Sequence, residues 1–546
     1  MDPYRSVAPD ARAEAPRDPG IVGDIISQFA DPLAFYRELV QNSIDAGTDR
    51  VEVRIEHDAS ASLVRVAVRD RGEGMTRDIL ENQLLVLFRS TKEKDRSKIG
   101  KFGIGFASVL APDPELVSVS TARDGRRLVL HLHRDLTYQL FDGGPATQTG
   151  TVVELDLAIA AGDVAGFVER SVAALERWCR HASVPIELVA HVADQPELRR
   201  RIDRPLALDG ALVEVRMRAD ADQLEAVAGL HAPATPYTGF FNHGLMLYET
   251  TEPLLGNVSV KLQDARLGHT LSRDNVRRDR HFERALELAR SLVERQLPAA
   301  AAAALRAAAE AGDHARWHEL VAALADAKLA LPARAWWFPL VVPLGEQRAI
   351  EASALGKRAW TSHEAGPIVE LLVARGEPVL HAAIGEQPAL RALVEELAGC
   401  ELRAVQSELT RVVCEPLADA DEVLVSRLGS LCELVYRRPS AIRVGRFDGA
   451  HADLLSLAGA PGTDDASELL VDSAQALANP FGKKRVPLVL SAAHPTYQAA
   501  RAADPRLGAS LLLRILLLQH RLLDVARSTT LLEHALDEID AGGSGR

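Results

Sequence analysis

Between Phe35 and Gly47 the sequence reads FYRELVQNSIDAG and carries two helical spacings at once. Successive residues of an α-helix turn by about 100°. Leu33, Tyr36, Val40 and Ile44 therefore gather on one side, the side suited to packing on a sheet. Glu38, Asn42 and Asp45 gather roughly opposite. Asp31-Pro32 is a start signal, an N-cap followed by proline at the first helical position, and Gly47 is a stop signal. Taken alone, such a polar cluster is a solvated helix face. Segments further along the chain change its meaning.

The segments VEVRIEH, from Val51, and VRVAVRD, ending at Asp70, alternate apolar and polar residues as half-buried strands do. MTRDILENQLLVLF reads as a helix capped by Thr76. Two further strands, over 115–122 and 126–134, meet at Asp124-Gly125, a strong hairpin signal. TGTVVELDL closes the unit as another strand.

Three of these segments carry chemistry. Asp70 ends a strand and is followed by Gly72, Gly74 and Met75. A carboxylate fixed there can accept a hydrogen bond from the exocyclic amine of adenine, and the glycines let backbone approach a flat ring or turn sharply beneath it. The polar stretch RSTKEKDRSK runs into IGKFGIGF, with Gly100, Gly103 and Gly105. That spacing suggests backbone amides aimed at phosphates from the start of a helix. It is neither a Walker A loop, lacking a following Lys-Ser/Thr, nor a Rossmann fingerprint, lacking a preceding strand. The third is Thr151, at the start of a strand about eighty residues beyond Asp70.

Polar helix, Asp-x-Gly-x-Gly, Gly-rich lid and Gly-Thr strand, in that order over residues 25 to 157, resemble the ATP-binding domain shared by gyrase, the 90-kilodalton heat-shock chaperones, histidine kinases and MutL. QNSIDAGTDRVEV is closest in wording to MutL. STK…IGKFGIGFASVLAPD is instead similar to the chaperone lid, and LGHTLSRDNVRRDRHF resembles the chaperone middle-domain loop with its Ser272, Arg273, Asp274 triplet. VPLVLSAAHPTYQAARAADPRLGASLLLRILLLQ looks like the chaperone C-terminal dimerisation region. The charged linker that many such chaperones place after the ATP domain is missing, and Gln83 stands where the family commonly has asparagine.

The resemblance to the heat-shock protein 90 family implies a multidomain α/β chain. A GHKL-type α/β sandwich ATPase domain is expected over 21–158, after a disordered leader over 1–20. A middle α/β domain of ribosomal-protein-S5-like type is expected over 159–300, its second part over 301–440, and a mainly helical α+β dimerisation domain over 441–546. The resemblance further implies ATP and Mg2+ as ligands. Glu38 would be the catalytic base, Asn42 the magnesium ligand, Asp70 the adenine anchor aided by Thr151 through water, and Asp45 a support. Gly74, Met75 and Gln83 would line the nucleotide, and Lys92, Gly103, Gly105 and Phe106 would form the lid. Arg273 would stabilise charge on the γ-phosphate. A homodimer acting on unfolded client proteins is the expected assembly.

Composition bounds the rest. At 546 residues the chain holds roughly three or four domains. A hydrophobic fraction of 47% with 25% charged residues is that of a soluble globular protein. The net charge of −13 argues against a surface built mainly for nucleic-acid phosphates. The four cysteines form no CxxC, so neither a zinc site nor a disulfide framework is expected, and a cytoplasmic location fits. No run long enough to span a membrane is present. The competing class is a MutL- or MORC-like ATPase that clamps DNA. His131 and His133 share a strand face without a third metal ligand in sequence, and Trp336, Trp337 and Phe338 are read as core or as a domain contact.

Overall fold

The structure is a computed structural model that describes residues 11–13, 26, 31–85, 105–193, 195–221, 223–270 and 275–543. The chain divides into two compact units. One comprises Met1–Ala301 with Ala322–Ala330, the other Ala302–Val321 with Leu331–Arg546.

The first unit is organised by strand alternation. Val51, Val53 and Ile55, Val64, Val66 and Val68, Val117 and Val119, and Val153, Leu155 and Leu157 are all buried, because side chains two apart share a sheet face. These belong to β2 (Val51–Asp58), β3 (Leu63–Asp70), β4 (Leu116–Arg123) and β7 (Gly150–Ala158). With β1 (Ala11–Ala13), β5 (Arg126–His133), β6 (Tyr138–Pro145), β8 (Ile186–His191) and β9 (Leu198–Arg201) they form one sheet, ordered β1-β6-β5-β4-β7-β3-β2-β8-β9. Asp124 and Gly125 both take positive φ, 51° and 76°, the turn that matches the strand twist of the β4–β5 hairpin.

The Phe35–Asp45 helix lies on the apolar face and buries Phe35, Tyr36, Leu39 and Val40. Asp31 accepts a hydrogen bond from the backbone N–H of Leu33 at 2.8 Å, Pro32 opens the preceding 3-10 turn, and Gly47 ends the segment at φ +73°. The Val164–Cys179 helix lies beside it, burying Val164, Phe167, Val168 and Leu175. β7 runs parallel to β2, and β8 pairs parallel with β2. A parallel return needs a crossover, and this helix is the crossover. The sheet therefore runs on past residue 158, the expected end of the ATP-binding domain.

A second sheet in the same unit has the order β10-β11-β14-β12-β13. Its strands are Val213–Ala219, Leu224–Leu230, Tyr237–Asn242, Leu245–Thr250 and Ser259–Asp264, numbered β10 to β14 in chain order. Lys261 of β14 donates to the Nε2 of His181 at 2.9 Å and to the carbonyl of Ala207 at 2.7 Å. Burial, then the neighbouring ammonium, pushes the His181 imidazole down to about 4, so it stands as a neutral acceptor. The Arg280–Ser291 helix, capped by Asp279, buries Phe282, Ala285 and Leu288.

The second unit holds two five-stranded sheets. Trp336 and Phe338 are core residues, and Trp337 lies under the Arg306 guanidinium at 4.1 Å. The helices Asp419–Val435 and Pro505–Gln519 share a core through Leu424, Leu428, Leu512, Leu513 and Leu516. That core begins before residue 441, the expected start of the C-terminal domain. All four cysteines are buried free thiols. Among the described residues no helix is long and apolar enough to cross a membrane.

Candidate functional site

A cavity of about 170 Å³ opens between the Phe35–Asp45 helix and the apolar face of the nine-stranded sheet. Leu39, Val68, Ile79, Leu84, Val119 and Val153 supply apolar walls. Of the residues singled out in the sequence, Asn42, Asp45, Asp70, Gly74, Met75, Gln83, Phe106 and Thr151 all line it. Segments far apart in the chain thus meet at one place.

Asp70 is the fixed point. Its Oδ1 accepts from the backbone N–H groups of Gly72 at 2.9 Å and Thr151 at 3.1 Å, and its Oδ2 lies 3.2 Å from the Ser43 hydroxyl. Burial raises the carboxyl above its usual range, and these three donors oppose the rise. The single Ser43 proton also has the Leu39 carbonyl within 2.9 Å. When it turns there, Oδ2 is left with acceptor capacity toward the cavity.

Ser43, Thr48 and Thr121 carry no mark in the sequence. Thr121 accepts from the backbone N–H of Met75 at 2.8 Å and shares a 3.0 Å hydrogen bond with the Thr151 hydroxyl. Thr48 accepts from the backbone N–H of Arg71 at 3.0 Å. Ser43 and Thr121 are small hydroxyls at positions that helical spacing or alternation reads as core, and Thr48 lies in the connection after Gly47. The usable signal is cross-strand register: Thr121 lies directly opposite Thr151.

The two glycines after Asp70 make the expected sharp turn, and they also sit against protein backbone. At Gly72 a Cβ would come within 2.7 Å of Ala46, and at Gly74, φ +69°, it would strike the carbonyl oxygen of Ala122. They let the loop close on protein backbone. The result positions Met75 at the cavity.

Glu38 lies one helical turn before Asn42 and is buried, but it does not line the cavity. Arg37 binds its Oε1 at 2.6 Å and so orients the carboxylate. Asn42 is half-buried, and among the described residues its amide makes no hydrogen bond. Asp45 is exposed and accepts from Gln41 at 2.9 Å. Gln83 stands in a π-helical turn over Leu80–Leu84, entered from the Thr76 cap. Phe106 is buried against the cavity, whereas Gly105 lies outside its lining, its carbonyl taken by the Ser108 hydroxyl at 2.7 Å. Lys92, Gly103 and Arg273 lie outside the described residues. His131 is buried against Phe141, with ring centroids 5.0 Å apart, and among the described residues no three His, Cys, Asp or Glu side chains form a metal-holding group.

Residues 35–140 match the family described as histidine kinase-, DNA gyrase B-, and HSP90-like ATPase. The N-terminal domain is a GHKL-type ATPase domain. The matched segment takes in the helix, Asp70 and its glycines, and the hairpin, so it supplies all of the cavity's lining residues except Thr151 and Val153. The chain is 36% identical over 103 residues to the DNA mismatch repair protein MutL of Opitutus terrae, covering 18% of this chain and 14% of that protein. It is 29% identical over 205 residues to the chaperone protein HtpG of Cupriavidus taiwanensis, covering 31% of each. A similar match, 27% over 209 residues, joins it to the HtpG of Alkalilimnicola ehrlichii, covering 32% of this chain and 30% of that protein. The chain spans less than a third of the length of these curated relatives.

Proposed function

We propose that the protein is an ATP-dependent molecular chaperone of the heat-shock protein 90 type, which hydrolyses ATP with magnesium and closes on client proteins as a homodimer. The observation that carries the ATP reading is Asp70: an acceptor pinned by three donors inside an apolar cavity, as recognition of an adenine amine requires. The cavity's 170 Å³ is below the roughly 300–1,000 Å³ of drug-sized sites, a volume suited to the base alone. Met75, Gln83 and Phe106 contact the ring and its surround, and Thr151 assists Asp70.

Hydrolysis needs a carboxylate on a rigid element to orient and deprotonate water, the role assigned to Glu38. Its position outside the base cavity suits work at the phosphate end. Asn42 contributes a neutral amide oxygen to Mg2+, which takes its remaining ligands from phosphates and water. Asp45 supports the site. Lys92, Gly103 and Gly105 act in the lid, and the Arg273 guanidinium stabilises charge on the γ-phosphate.

Dimer formation is supported by an apolar stripe. Leu507, Leu511 and Leu518 on the Pro505–Gln519 helix, and Leu532 and Leu536 on the following one, are exposed at helical spacing. The longer of the similarities, to proteins named HtpG, favours the chaperone. The higher identity, to a protein named MutL, favours a DNA-associated ATPase clamp as the second reading. Phosphate release measured with and without duplex DNA, beside suppression of aggregation of a denatured client, separates them. ATP-dependent suppression without DNA stimulation supports the chaperone; DNA stimulation without suppression assigns the clamp.

A further inference from the structure

The outer face of the nine-stranded sheet, opposite the base cavity, bears a larger cavity of about 370 Å³. Asp70 and Thr151 line both, so the two stand back to back across one wall.

Strand register sets its chemistry. Arg69 lies beside Glu52 on β2 and Val152 on β7, and Val152 lies beside Ser120 on β4. Nearer the strand ends, Ala122 lies between Gly150 and Arg127. A methyl group and a hydrogen thus form the floor at that end. Arg127 rises on one side of it, and Arg71 and Arg50, next to the ends of β3 and β2, on the other. From β2 to β5 is four strand spacings, about 19 Å between backbones. Arg127 packs its stem over Gly143 of β6 and lines the same groove.

Arg50, Arg69, Arg71 and Arg127 are all exposed, and among the described residues no side chain hydrogen bond or ion pair engages any of the four guanidinium groups. The wall carboxylates do not cancel them. Glu52 is paired with Arg54, Asp70 is held by Ser43, Gly72 and Thr151, and Glu154 is the third wall carboxylate beside four arginines. In a chain with net charge −13, four unpaired arginines in one groove set its local sign against that of the whole. Guanidinium forks match phosphate oxygens two at a time, and the Ser118, Ser120 and Thr149 hydroxyls add donors. None of the lining residues is aromatic, so the groove has no platform for stacking unpaired bases.

We propose that this groove is a second anion-binding site, for a compact ligand bearing two or more phosphate groups, held by Arg50, Arg69, Arg71 and Arg127 behind the wall that carries Asp70 and Thr151. It is separate from the nucleotide reading and stands without it.

The test is calorimetric titration of the full chain with inorganic tripolyphosphate, run with and without saturating ADP. One site is expected in both conditions, its affinity weakening as salt rises. The Arg69→Ala/Arg127→Ala variant is expected to bind roughly tenfold or more weakly, while Arg134→Ala, whose guanidinium pairs with Glu115, leaves binding unchanged. Arg71→Glu provides a second variant on a different segment. Equal affinity in wild type and both groove variants overturns the site, and so does displacement of tripolyphosphate by ADP. Binding of a short DNA duplex to the groove, with no tripolyphosphate binding, overturns the compact ligand in favour of a nucleic-acid backbone.

Discussion

Thr151 donates its backbone N–H to Oδ1 of Asp70 across 3.1 Å, joining residues 81 apart in the chain. The contact ties the second residue of β7 to the last residue of β3, and both residues line the same cavity. The anchor of the site is therefore set by sheet register and not by a flexible loop. The Asp70 carboxylate keeps this position only while β3 and β7 remain paired.

Ionised Asp70 is held against its burial, and this gives a pH signature. Its folded-state pKa is raised, so its contribution to stability is full below the ordinary carboxyl range and is lost as pH rises through the raised value. Asp70→Asn removes that loss. The melting temperature of the variant relative to wild type is expected to climb by about 1–3 °C between pH 4 and 7, as read by scanning calorimetry without nucleotide.

Gly74 and Gly125 both have positive φ, 69° and 76°, but only Gly74 is walled in by Ala122. Gly125→Ala is expected to cost about 1 kcal/mol. Gly74→Ala adds a backbone clash to the same strain and is expected to cost roughly 3 kcal/mol or more, with loss of nucleotide binding. Urea midpoints of the two variants check the ranking.

Thr121 is buried and accepts the Met75 N–H. Thr121→Val keeps the shape and strands that donor, a loss of about 1–3 kcal/mol. Thr121→Ser keeps the hydroxyl and is expected to retain nucleotide affinity within roughly threefold, which fluorescence titration with a labelled nucleotide measures.

Chelation of magnesium by EDTA is expected to stop phosphate release. Asn42→Ala is expected to raise the magnesium concentration for half-maximal turnover by roughly tenfold, because one oxygen ligand is gone while the rest come from substrate and water. Titrating magnesium at fixed ATP gives the value.

The helix over Phe35–Asp45 was legible because caps, apolar spacing and stop signal agree. The cavity's membership was legible as far as it consists of unusual residues, such as a strand-end aspartate beside glycines. The hydroxyls were not. Ser43 falls among apolar helix positions and Thr121 on the inward side of an alternating strand, so each reads as core until strand register places it beside Asp70 or Thr151. The glycines and their sharp turn were visible, but close approach to Ala46 and Ala122 was not, being a tertiary fact. β8 joins the sheet by parallel pairing with β2, which leaves no local mark in the sequence.

The central claim is a division of labour between Asp70, which binds the base, and Glu38, which drives hydrolysis. Calorimetric ATP titration and single-turnover phosphate release on Glu38→Ala and Asp70→Asn test it most directly. The account predicts that Glu38→Ala binds ATP within about threefold of wild type and loses hydrolysis by roughly a hundredfold or more, while Asp70→Asn fails to bind. Normal hydrolysis by Glu38→Ala, or wild-type affinity in Asp70→Asn, would contradict it.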